Sequence, residues 1–259
     1  GPALIVSFLI GVISMTILNP LSSNLYARFK SVSAEYMGER QSLLQVTEEG
    51  FWLRQGDGET QSIVHARKAN SSGTRLENVT IWVYLDDQWK RRIDASEAVL
   101  ATGHWQLSDA EITEQGRPTQ IKPLARISTT LTKDQIQDSF AAPDTLSFWE
   151  LPRFIRLTEA AGFSAQKHKM YWHSVLSLPA LLCAMVLIAA TVSLRLTRLG
   201  GVSRLIALGT IAGFALYFVS DVTRALGMSG NLPVVLAAWA PTLMALLLGM
   251  TSLFYLEDG

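Results

Sequence analysis

The residues of this chain best suited to proton transfer or metal ligation are its four histidines, His65, His104, His168 and His173, and their spacing supports neither. A helical zinc hydrolase site needs two histidines one turn apart with a glutamate between them, and no such pattern occurs. There is no glycine-rich phosphate loop ending in Lys-Ser or Lys-Thr, so ATP hydrolysis is not expected of this chain. No serine sits in a G-x-S-x-G elbow. Cys183, the sole cysteine, falls within an apolar run and reads as a small packing residue; it cannot build a disulfide framework. The chemistry that remains is non-covalent. Phe214, Tyr217 and Phe218 recur at i, i+3 and i+4, and Asp221 follows one turn later with Arg224 three residues beyond it. Two readings stand for that face: ordinary helix packing, or a lateral wall for an amphiphilic or lipidic substrate. Gly209 and Gly213 form a small-xxx-small pair on the same segment, suited to close approach of another helix. Arg28 and Lys30 follow an apolar run, where they either flank a membrane or contact an anionic lipid.

These residues need membrane helices to place them. A bilayer core about 30 Å thick takes roughly 20 apolar residues. The runs Val175–Leu194 and Leu232–Leu256 meet that length, and Leu205–Ser220 reaches it if the helix continues past Asp221 and Arg224 to Leu226. Three such runs in succession leave no amphipathic face for water, which makes this a membrane protein. Ala3–Leu18 is a fourth uncharged run, expected to stop at Asn19-Pro20. No basic stretch precedes it and no cleavage pattern follows, so it reads as a membrane helix and not a signal peptide. The sequence begins without methionine, and the expectation is that the chain is a fragment.

Charge is balanced, at 22 basic and 22 acidic residues, which argues against nucleic acid as a partner. Nearly all of it lies between Arg28 and Lys169. Within that stretch the pattern is of short alternating runs. Phe51–Arg54 and Ser62–Ala66 flank Gly56-Asp57-Gly58 as a hairpin; Val79, Ile81, Val83 and Leu85 alternate with Thr80, Trp82 and Tyr84; Asp86-Asp87 turns the chain into Trp89–Ile93. Ala98–Thr102, His104–Leu107, Ala110–Thr113 and Gln120–Ile127 continue the series. About eight or more strands imply an all-β sandwich or jelly roll. Helical character returns at Thr132–His173: Ser147 and Glu150 have capping-box spacing, Leu151, Phe154, Ile155 and Leu157 share a side, Gly162 ends the helix, and the piece is expected at the membrane surface. Arg195, Arg198 and Arg204 crowd a short joint without an acid, so that joint is expected in the cytoplasm and the β-rich part outside it.

The order of elements closely resembles the LptF/LptG (YjgP/YjgQ) permeases of lipopolysaccharide export. The resemblance rests on Gly50-Phe51-Trp52-Leu53-Arg54, Trp105-Gln106-Leu107, Leu146-Ser147-Phe148-Trp149-Glu150-Leu151-Pro152, the run Gly213–Asp221 and Leu232-Pro233. The Gly-Phe-Trp-Leu and Trp-Glu-Leu stretches favour the LptG side. It implies transmembrane helices flanking a periplasmic β-jellyroll: residues 1–30 as the family's third membrane helix and its exit, 31–131 as the jellyroll, 132–172 as a helical linker, and 173–259 as helices four to six. It further implies a bacterial inner-membrane permease subunit without enzymatic activity or cofactor of its own. The partners it implies are an LptF-like subunit, an LptB ATPase dimer and LptC. Lipopolysaccharide would sit in a cavity lined by Phe214, Tyr217, Phe218 and Asp221, with Arg28 and Lys30 toward its phosphates. A competing reading is a membrane-anchored periplasmic sensor or scaffold whose β-sandwich binds a protein or ligand.

Overall fold

The computed structural model describes residues 1–37, 44–56, 60–85, 88–196 and 202–257. The chain divides into two compact units. One comprises Gly1–Leu25, Leu146–Pro152 and Gln166–Gly259; the other comprises Tyr26–Thr145 and Arg153–Ala165.

The first unit is helical. Helix α1 (Pro2–Ile13) runs through a single π-turn, Ser14–Leu18, into α2 (Asn19–Met37). The expected stop at Asn19-Pro20 is therefore not a stop. Proline lacks the N–H that would bond the carbonyl four residues back and its ring crowds that carbonyl; the π-turn widens the helix just ahead of Pro20, and the helix goes on. Pro2–Ser33 is long and apolar enough to cross a bilayer, as are Gly209–Met228 and Val234–Phe254. The run beginning at Val175 is not one straight helix. It is divided between α5 (Gln166–Leu176) and α6 (Leu178–Leu196), bent by 48°, and the two qualify as a span only together. Helix α7 (Val202–Met228) does continue past Asp221 and Arg224, and α8 (Val234–Glu257) closes the unit. Helices α6 and α8 pack together at the centre, with α1 on α6 and α7 on α8. The joint residues Arg198–Gly201 and the side chains of Arg195 and Arg204, which carried the orientation argument, lie outside the described residues.

The second unit holds a seven-stranded antiparallel sheet: β1 (Leu44–Thr47), β2 (Gly50–Gly56), β3 (Thr60–Ala69), β4 (Arg75–Leu85), β5 (Gln88–Ala101), β6 (His104–Glu114) and β7 (Gln120–Ser128). The strands pair in strict chain order, so no Greek-key crossing occurs among them. The hairpin read around Phe51–Arg54 and Ser62–Ala66 is β2–β3, with Leu53 opposite Val64; its Asp57 and Gly58, and the Asp86-Asp87 turn, lie outside the described residues.

This one sheet acts as two layers because it is creased. In β3, β4, β5 and β6 the in–out alternation of side chains breaks once, where two successive residues both miss the core: Arg67-Lys68, Glu77-Asn78, Ser96-Glu97 and Ser108-Asp109. These pairs are neighbours across the sheet, since Lys68 faces Glu77, Glu77 faces Glu97, and Glu97 faces Ser108. Asn78 and Asp109 take left-handed backbone conformations with φ 51°, a region that Asn and Asp tolerate better than most residues. Ser96 Oγ lies 3.0 Å from the Asp109 carboxylate and 3.1 Å from the Ser108 carbonyl, bracing the crease between β5 and β6. On either side of this line the strand halves turn their apolar faces to one core containing Phe51, Leu53, Ile81, Ile93, Trp105 and Leu107. The halves close on each other at the opposite end, where the buried Thr129 hydroxyl donates to Gln55 Oε1 at 2.6 Å, joining the end of β2 to the residue after β7.

Short helices finish this unit. Helix α3 (Lys133–Asp138) starts with a complete capping box between Thr132 and Gln135. Helix α4 (Leu151–Ala160) is preceded by Ser147 and Glu150, where the Glu150 carboxylate accepts from both the Ser147 N–H at 3.0 Å and its hydroxyl at 2.7 Å. Gly162 ends α4 at φ 92°, and a Cβ there would lie 1.8 Å from the Ala69 carbonyl oxygen. That close approach lets the Ala69 N–H donate to the Ala161 carbonyl at 2.7 Å, fixing the end of α4 against β3.

Candidate functional site

Helix α7 carries the candidate site. Phe214, Tyr217 and Phe218 are 69%, 67% and 60% exposed, uncovered among the described residues. Positions 214, 217, 218 and 221 fall within one face at about 100° per residue, so Asp221 stands at one end of the aromatic stripe. Asp221 and Arg224 are both exposed and form no ion pair with each other. A carboxylate at the edge of an apolar face is costly in hydrocarbon and favours a wet cavity or a polar partner.

Gly209 and Gly213 have nothing within 4 Å of where a Cβ would stand, so the close approach they permit is not made among the described residues. The tight helix crossings lie elsewhere. A Cβ on Gly11 would fall 2.4 Å from Pro179, one on Gly249 2.7 Å from Leu187, and one on Gly227 2.6 Å from Ala237. These three glycines set the α1–α6, α8–α6 and α7–α8 contacts. Their signal in the sequence is only a glycine inside an apolar helix, shared with Gly209 and Gly213.

Arg28 and Lys30 lie on α2 two residues apart, about 200° around the helix axis, so from one helix they do not converge on a single phosphate. Lys30 Nζ rests 5.1 Å from the centroid of the Tyr26 ring, a cation–π contact, and Tyr26 stacks on Phe29. The histidines are dispersed among separate partners: His65 lies against Trp52 at 4.4 Å, His104 Nδ1 is 3.1 Å from the Thr102 carbonyl, and His173 packs edge-on to Trp172 at 4.9 Å. Among the described residues no group of three His, Cys, Asp or Glu side chains is placed to hold a metal ion.

One cluster that sequence reasoning missed is built on Asn19. Its Nδ2 donates to Tyr171 Oη at 2.9 Å on α5, and its Oδ1 accepts from the Phe148 N–H at 2.8 Å. Beside it, Trp149 Nε1 donates to the Thr16 carbonyl at 3.3 Å. Thr16 is the residue four before Pro20, whose missing N–H removes that carbonyl's α-helical donor; the indole supplies one. Phe148 stacks on Trp172 at 6.0 Å, and Leu151 is fully buried. The Leu146–Pro152 segment is thereby pinned to the helices. The Asn-Pro dipeptide was the available signal, since a mid-helix proline always strands a carbonyl.

Taken together, the described residues of the helical unit offer an exposed aromatic stripe with a carboxylate at its edge. Such a surface can hold or guide an amphiphile. A family model described as lipopolysaccharide export system permease LptF/LptG matches residues 1–255. No curated protein matches the chain.

Proposed function

The chain belongs to the LptF/LptG family of lipopolysaccharide export permeases, and from that premise we propose that it is an LptG-like subunit of the ATP-driven transporter that lifts lipopolysaccharide from the inner membrane. The observation that carries the reading is the family match across residues 1–255. In this reading α7 forms one wall of a lateral chamber. Acyl chains need an apolar slot, which Phe214, Tyr217 and Phe218 supply, while Asp221 marks its polar edge. Arg28 and Lys30 reach phosphates from different sides of α2, each pairing with its own group or with a group on another molecule. Gly209 and Gly213 are left open for a helix of an LptF-like partner. An LptB dimer supplies ATP hydrolysis on the cytoplasmic side. The folded β-sheet lies in the periplasm, where it and LptC receive what the chamber expels.

A photo-crosslinking residue at position 214 or 218 of the full-length protein tests this directly in cells. Adducts with lipopolysaccharide are expected at both positions and not at buried Ala184 on α6. Replacing Phe214 with aspartate is expected to block export while the protein still inserts into the membrane at normal level. Normal outer-membrane lipopolysaccharide in that variant would overturn the role given to α7.

A further inference from the structure

Three helical paths of the first unit lose their regularity at one height. Proline removes the N–H that would bond the carbonyl four residues back, so Pro20, Pro179 and Pro241 take the α-helical donor from Thr16, Val175 and Ala237. Helix register puts these three carbonyls at one level. Ser7 Oγ lies 3.6 Å from Cys183 Sγ, and a Cβ on Gly11 would fall 2.4 Å from Pro179 Cα, so α1 and α6 run antiparallel. Continuing that register brings Thr16 level with Val175. Helix α7 returns the chain between α6 and α8, so those two run the same way, and a Cβ on Gly249 would fall 2.7 Å from Leu187. Pro241 and Pro179 each lie eight residues before that crossing, about 12 Å along the axis. Each path departs from a straight α-helix here: the π-turn Ser14–Leu18, the 48° bend between α5 and α6, and the proline inside α8.

This plane divides the packing into two blocks. On one side α1, α6 and the rest of α8 meet through the close crossings at Gly11 and Gly249; this is the α6 block. On the other, Asn19 donates to Tyr171 Oη at 2.9 Å, Gln166 Nε2 donates to the Gly227 carbonyl at 2.8 Å, and Met170 packs with Ala237 and Ala238. Those contacts join the start of α2, α5, the end of α7 and the start of α8 into an α5 block. Helix α7 crosses the plane as regular α-helix. Its Gly227 abuts Ala237, so Thr223 stands level with Pro241. There the Thr223 hydroxyl donates to the Val219 carbonyl at 2.9 Å and to the Ser220 carbonyl at 3.1 Å, a back-bond that favours bending. Phe214, Tyr217 and Phe218 lie on the α6 side of the plane. Prolines and π-turns are where helices bend, and their alignment on adjoining helices lets one block turn on the other without unpacking either.

We propose that the α5 block pivots on the α6 block about this plane, with α7 carrying the motion through it, so that the mouth above the aromatic stripe opens and closes. Its use as a gate rests on the export reading; the hinge itself does not.

Spin labels on the full chain in nanodiscs, in a Cys183→Ala background, test the hinge without reference to transport. Leu9 and Leu248 mark the α6 block, and Lys167 and Val235 the α5 block, all at exposed positions. The Leu9–Val235 distance distribution is expected to be at least twice as broad as those of Leu9–Leu248 and Lys167–Val235. It is expected to narrow in the double variant Pro179→Ala, Pro241→Ala, which restores both N–H donors. Equal widths for the three pairs, or no narrowing in that variant, overturn the hinge. In the assembled transporter a non-hydrolysable ATP analogue is expected to shift the Leu9–Val235 mean by about 3 Å or more. The double variant is expected to insert normally and to lower export at least fivefold. A fixed mean, or full export by that variant, overturns the gate. The crosslink at position 214 reads lipid contact and not motion, so a failure of either leaves the other standing.

Discussion

Asn19 shows how much one side chain can organise. Its amide bonds in two directions, to the Tyr171 hydroxyl and to the Phe148 N–H, and the adjoining Thr16 carbonyl takes the Trp149 indole. Removing the amide leaves Phe148 N–H without its acceptor and strips one bond from Tyr171. Asn19→Ala is therefore expected to destabilise the helical unit by about 1–3 kcal/mol, seen as a lower thermal midpoint of the full chain in detergent. Asn19→Asp, which keeps the acceptor but not the donor, should lose roughly half as much. A midpoint unchanged in Asn19→Ala would show that the cluster bears no weight. From sequence, Asn19-Pro20 reads as the end of a helix because proline so often is one. What could not be read is a partner 133 residues away supplying a bond to the carbonyl that the proline strands. The aromatic stripe of α7 was legible for the opposite reason: its spacing is local, and a helix turns any i, i+3, i+4 set into a face whatever surrounds it.

The strands were legible one by one, and their number was not. The alternation gave β4 its inward face at Val79, Ile81 and Val83, while Leu85, on the same parity, is exposed at the strand end. The runs Trp89–Ile93 and Ala98–Thr102, read as two strands, are one fourteen-residue β5; His104–Leu107 and Ala110–Thr113 are likewise a single β6. In both, the apolar parity shifts by one residue at the crease, which mimics the break that a turn would make. The same shift appears between Leu76 and Val79 in β4. A crease is a property of adjoining strands, so it shows in sequence only once their register is known. The backbone at Asn78 makes a sharp test of it. Asn78→Gly, which suits φ 51° without strain, is expected to stay within about 0.5 kcal/mol of the parent. Asn78→Val, branched at Cβ, should cost about 1–2 kcal/mol, measured by denaturant unfolding of the full chain followed through tryptophan fluorescence. Equal stabilities for the two would mean that the left-handed turn is not required.

At the scale of the whole molecule, each unit completes its own core, yet exposed apolar side chains remain on α1, α2, α7 and α8. Composition could not distinguish surface that meets lipid from surface that meets another protein, because both are apolar. The glycines separate the cases: Gly11, Gly227 and Gly249 are filled by neighbours in this chain, and Gly209 and Gly213 stand open. Gly213→Leu should thus leave the isolated chain's thermal midpoint nearly unchanged, within about 0.5 kcal/mol, while co-purification of a second permease subunit falls at least tenfold. Retained co-purification would place the partner on another face. The crease carries a different lesson, about which changes of chain length the β-domain can survive. Four strands cross the line in step, so losing one residue there from any of them would exchange inner for outer side chains along half of that strand. Insertions and deletions should therefore be found at hairpin tips such as the one holding Gly116, and never singly along the row from Lys68 to Ser108.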